Sequence, residues 1–363
     1  MNSETDWLKD IKEGVHSFIQ EMNVKKDFSY FKYSFSGDLY DLNTKWGLGQ
    51  LVFATKILYM IDKIKELEPV HRINLINAIN SFQTKEGYYT DIKLFKPDEK
   101  NIIINMFKVL KGGKESSFHE KTKRAETRQS FAALLALNSK PLRSFLHIPY
   151  SKKEIEDYLG RLNWSQPWGA GSHFSHLIFF LHYNRFLFGL HKDDADDLID
   201  YAIRWVNRLQ SPTDGCWYSG DVPISQKVNG AMKVLIGLSA VKKSAFYPER
   251  IIDTSLKIGK NSDACNDFNV VYVLYRCSKL TDYRIDDIKN FCLKRLSQYK
   301  QYYHEDKGGF SFYLDRANDV YYGAKITQGL NEPDIHGTVM FLWGITLISQ
   351  ILKFDLGLKE PIT

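Results

Sequence analysis

Cysteine is scarce in this chain, and what there is shows no pairing pattern. Cys216, Cys265, Cys277 and Cys292 lack the close repeated spacing of a disulfide framework, and 363 residues supply core enough without cross-links. Reduced thiols and a cytoplasmic location are the expectation. Long apolar stretches are missing too. The longest, residues 339–348, is about half the roughly twenty residues that a membrane span needs, so no span is expected. The opening MNSETDWLKD is polar and acidic and does not read as a secretory signal. The net charge of +6 is scattered, with no basic run interleaved with aromatics, which argues against nucleic acid as a partner. Strand-type alternation is almost absent, and that leaves an all-α chain.

Two kinds of helical stretch fill the sequence instead. Amphipathic ones cover residues 6–22, 71–83, 152–162, 194–209, 247–260 and 284–299, and Thr5 is the expected N-cap of the first. Between them lie runs that open polar and turn strongly apolar. The clearest are Gly171-Ser172-His173-Phe174-Ser175-His176 before LIFFL and Lys227-Val228-Asn229-Gly230 before AMKVLIGL. Asp263-Ala264-Cys265-Asn266-Asp267 before FNVVYVLY and Glu332-Pro333-Asp334-Ile335-His336 before GTVMFLWGITLI belong with them. Weaker examples are Asn43 to Gly49 before QLVFATKILYM and Glu126-Thr127-Arg128-Gln129 before SFAALLAL. Only a helix surrounded by others can be apolar on every face. The alternation therefore predicts an (α/α)6 toroid or barrel: one domain over 1–363, six inner and six outer helices, and a long insert at about 88–123.

The joints between helices repeat as well. Gln83-Thr84-Lys85-Glu86-Gly87-Tyr88, Gln210 through Asp214-Gly215-Cys216-Trp217 and His304 through Gly308-Gly309-Phe310 share a polar residue, a glycine and an aromatic. Asn163-Trp164-Ser165-Gln166-Pro167-Trp168-Gly169 is a weaker relative. Glycine there closes a helix through a left-handed turn, and the aromatic plugs the gap between hairpins. This repeat resembles that of the terpenoid cyclase and protein prenyltransferase α/α toroids, over most of residues 83–351. Some polysaccharide lyases and hairpin-barrel glycosidases use similar rings. The prenyltransferase resemblance implies a zinc held by Asp263, Cys265 and His336, cations for a diphosphate at Lys257 and Lys260, and a partner subunit. Asn266 stands where that family has an aromatic.

Polar residues gathered at the heads of inner helices predict a shared site. His173, His176, Asp267, Asp334 and His336 are the candidate acid–base residues. Arg128, Lys227 and Asn229 supply cationic and amide donors for a small-molecule or oligosaccharide substrate, with Trp168 and Trp217 to stack on it. Asp193-Asp194-Ala195-Asp196-Asp197 contains the acidic motifs of terpene cyclases, but at the start of an outer helix it reads as N-terminal capping. Two functions stay open. One is isoprenoid chemistry in a toroid; the other is a carbohydrate-active lyase, epimerase or glycoside hydrolase. A non-catalytic ligand-binding ring is a third.

Overall fold

The structure, a computed structural model, describes residues 5–40, 46–91, 118–259 and 263–363. Most of the insert expected at 88–123 lies outside them, as do Asn43 and Lys260. Twelve α-helices follow one another among the described residues. They are α1 (Ile11–Met22), α2 (Leu48–Met60), α3 (Pro69–Asn80), α4 (Phe118–Ala136), α5 (Lys152–Gly160) and α6 (Pro167–Phe188). Then come α7 (Ala195–Asn207), α8 (Ile224–Ala240), α9 (Pro248–Ser255), α10 (Ala264–Ser278), α11 (Ile285–Tyr299) and α12 (Ile335–Leu352). The chain is mostly helical, as its patterning requires.

Odd- and even-numbered helices differ in what they bury. Helix α1 buries one stripe, Ile11, Val15, Phe18, Ile19 and Met22, and α7 likewise buries Ala195, Leu198, Ile199, Ala202, Ile203 and Val206. Helices α2 and α12 bury residues on every face. Each even helix packs on the next even one, from α2 through α12, and α12 packs back on α2. The odd helices cover them: α3 touches α2 and α4, α9 touches α8 and α10, and α11 touches α10 and α12. Helices α6 and α8 approach most closely, through glycine. A Cβ on Gly230 would sit 2.5 Å from Pro167 Cβ, and one on Gly171 would sit 2.9 Å from Gly230 O.

The repeated joints have a common construction. Gln83 bridges to Tyr89 and Gln210 to Trp217 as isolated antiparallel pairs. In each, the glutamine Nε2 donates to the carbonyl of the turn glycine (Gly87, 3.2 Å; Gly215, 2.9 Å) and to a loop beyond (Arg143 O, 2.8 Å; Phe246 O, 2.6 Å). Gly87 and Gly215 have φ of +88° and +74°, and Tyr89 and Trp217 are fully buried behind them. The third joint is a small hairpin, β1 (Tyr303–His304) paired with β2 (Gly309–Phe310). A second hairpin, β3 (Val320–Tyr321) with β4 (Ala324–Lys325), precedes α12. The weak joint at 163–169 is different: Pro167 opens α6, and Trp164 is the buried plug.

Two expectations about helix ends change. Thr5 makes no side-chain cap bond, because Trp7 lies on a 3-10 turn (Asp6–Leu8) and α1 starts beyond Asp10. The apolar run at 339–348 extends into α12, which is long and apolar enough to cross a membrane yet is mostly buried within the protein.

Candidate functional site

The acidic residues at helix heads are held by backbone. Asp334 caps α12 through Oδ1, which accepts from Gly337 N at 2.8 Å. Its Oδ2 accepts from Phe312 N at 2.7 Å and Asn318 N at 3.0 Å. Burial drives its pKa up to about 7, against those N–H groups, which favour the anion. Asp263 caps α10, accepting from Asn266 N at 2.9 Å and Asn266 Nδ2 at 2.7 Å. An amide ladder continues from Asn266 to Asn229 and on to Asn269, each step 2.9 Å, and ties α8 to α10. Asp267 is drawn to helix α11 by a buried ion pair, 2.7 Å to Arg295 Nη1.

Two sequence-predicted binders serve the joint instead. Lys227 Nζ pairs with Asp214 at 2.8 Å and with Tyr218 Oη at 2.9 Å. Trp217 is a core plug whose Nε1 donates to Asn207 Oδ1 at 3.2 Å. Trp168 is half-buried in the first turn of α6.

A different set of charges meets inside. Arg128 on α4 is only 7% exposed, its guanidinium stands 5.3 Å over the Phe179 ring, and its Nε and Nη2 have no hydrogen-bond acceptor. Lys233 on α8 and Lys56 on α2 are near enough that Arg128 pushes both ammonium pKa values down. Burial is the larger cause and takes Lys233 to about 8. Lys56 is buried and bonds the amide oxygen of Gln129. Glu126 is the nearby carboxyl, and burial raises it to about 8, so it is uncharged at neutral pH. Tyr321 Oη donates to its Oε1 at 2.7 Å, while Oε2 is buried without a partner. Tyr272, Tyr183 and Tyr322 are near enough to act on Arg128 electrostatically.

The histidines border this group as neutral rings. His176 Nδ1 accepts from Arg124 Nε at 3.1 Å, which leaves the proton on Nε2. Burial and then Arg124, Arg128 and Lys233 hold its pKa far below the usual range. His173 lies 2.7 Å from Tyr158 Oη and is lowered to about 2 by burial and Arg124. His336 stacks on Phe53 at 4.7 Å, lies 3.2 Å from Tyr33 Oη, and is lowered to about 3 by burial and Lys56. None of the three titrates near neutrality, where a general base would.

Asp263, Cys265 and His336 do not fit a zinc ion as placed. No group of three metal-ligating side chains gathers among the described residues. Asp263 Oδ1 is engaged in capping α10, and its Oδ2 accepts from the Asn266 side-chain amide.

Of the sequence candidates, Arg128, His176 and His336 therefore adjoin the inner charges. Lys56, Lys233, Arg124 and Glu126 were missed. The signal for two of them was a lysine inside an apolar run, in QLVFATKILYM and AMKVLIGL. The chain matches no family model and no curated protein sequence.

Proposed function

We propose that the chain is an (α/α)6 toroid enzyme of the terpenoid cyclase and prenyltransferase type, acting on an isoprenoid-type substrate inside its ring. The ring reading is supported by the return of α12 onto α2, which closes the series of even helices. The observation that carries the substrate class is the wall around Arg128. Phe179 lies under it and Tyr183, Tyr272 and Tyr322 are within electrostatic reach, which suits an apolar or carbocationic chain with a charged head. Four unpaired cysteines agree with a cytoplasmic setting.

A carbohydrate-active toroid is the second reading, favoured by one feature. Glu126 is a buried, uncharged carboxyl beside cations, as a lyase or hydrolase working on an acidic sugar would need. The two separate by assay. The protein is incubated in parallel with farnesyl and geranylgeranyl diphosphates and with polyuronates. Diphosphate release with a new hydrocarbon or prenylated product is expected. Unsaturated or shortened uronate products, with the isoprenoids untouched, would overturn the isoprenoid reading.

A further inference from the structure

Three cations from three helices come close together, Arg128 and Lys56 buried and Lys233 part-buried, and no acid among the described residues forms an ion pair with them. Arg128 leaves two N–H donors without acceptors, and Lys56 bonds a neutral amide. Among the described residues, Lys233 has no hydrogen bond or ion pair. The acids around them do not compensate. Glu126 holds Tyr321 Oη at 2.7 Å through one oxygen and leaves the other without a partner, and Asp91 caps α2 through the N–H groups of Gly47 (2.8 Å) and Leu48 (3.2 Å). Buried charges in folded proteins are paired or are lost through a shifted pKa, and a bound anion would supply the partner that Arg128 lacks.

We propose that Arg128, Lys233 and Lys56 form a metal-independent subsite for a phosphoryl oxyanion, the diphosphate or phosphate head of the substrate. A diphosphate carries more negative charge than a lone carboxylate, and its arrival would restore the protons that burial disfavours on Lys56 and Lys233. The planar guanidinium fork offers Nε and Nη2 together, the pair that grips a phosphoryl group through two oxygens. His176 contributes a neutral Nε2–H at the edge. This subsite is separate from Lys257, an exposed residue beyond α9, and from Asp263 and Cys265. It depends on the isoprenoid reading only for the organic part of the ligand.

The test is calorimetric titration of the full chain with inorganic pyrophosphate in the presence of a chelator. Wild type should bind without metal. Arg128→Met and Lys233→Met should each weaken binding by about thirty-fold or more, the usual loss when one partner of a buried charge pair is removed. Lys257→Met should bind as wild type does. Circular dichroism and melting of each variant establish that it is folded. Galacturonate should fail to compete with pyrophosphate. Absence of binding to wild type, unchanged affinity in both Met variants, or equal competition by galacturonate would each overturn the assignment. If pyrophosphate binds but isoprenoid diphosphates are not turned over, the subsite stands and the isoprenoid reading falls.

Discussion

Replacing Arg128 by methionine should make the free protein more stable while removing its ligand affinity. The side chain leaves two buried N–H donors unmatched. Each such group costs about 1–3 kcal/mol. Against this stands the contact with the Phe179 ring at 5.3 Å, worth about 0.5–2 kcal/mol. Methionine keeps most of the stem's packing through a flexible apolar chain. It also relieves the repulsion that Arg128 exerts on Lys56 and Lys233. The net expectation is a gain of about 1–3 kcal/mol. For 363 residues, an unfolding entropy of about 2.1 cal/mol/K per residue makes 1 kcal/mol worth about 1.3 °C. Arg128→Met should therefore raise Tm by about 1–4 °C. The assay is differential scanning calorimetry in a buffer free of phosphate and sulfate, since a bound anion would mask the effect. A fall in Tm of more than about 2 °C would refute the reasoning, because it would mean that Arg128 is satisfied in the fold.

Other consequences follow from the same geometry. Lys233 faces Arg128, Lys56, His176 and Cys265, and its pKa falls from 10.5 to about 8 on burial. The folded chain thus binds fewer protons than the unfolded one between those values, so stability should rise with pH across that window, and Lys233→Met should flatten the rise. Pyrophosphate affinity should fall over the same range, measured by titration at several pH values. Asp334→Ala removes a cap and strands the N–H groups of Phe312 and Asn318. It should cost about 3–6 kcal/mol, read by denaturant unfolding. Gly87→Ala forces a Cβ to 2.2 Å from Ser144 O at a φ of +88°. That should destabilise the chain by about 2 kcal/mol or more in the same assay. Cys265→Ser should leave pyrophosphate binding and turnover unchanged with or without chelator. A zinc-dependent loss would reinstate the Asp263, Cys265 and His336 site.

Much of this arrangement was legible in the sequence, and the limits have physical causes. Helix alternation survived because burial leaves a direct mark: a stripe in α1 and α7, every face in α2 and α12. The joints were legible because a positive φ at Gly87 and Gly215 demands glycine. Roles at helix heads were not. A carboxylate that caps N–H groups and one that does chemistry occupy the same position, and Asp334 and Asp263 turned out to be caps. Asp267 pairs with Arg295, a residue 28 positions away, and no local pattern reveals that. Lys56 and Lys233 hid inside apolar runs, where one charge hardly changes the periodicity. What marks them is that no acid among the described residues forms an ion pair with either, Lys56 bonding only the neutral amide of Gln129, and that is a property of the packed chain.

The most direct measurement is a crystal structure of the protein with a non-hydrolysable farnesyl thiolodiphosphate, grown without added metal. The head group is expected between Arg128, Lys233 and Lys56, with the chain against Phe179 and Tyr272 and α12 closed on α2. A ligand bound on the outer surface, or density for the head group at Asp263 and Cys265 with Arg128 untouched, would contradict it.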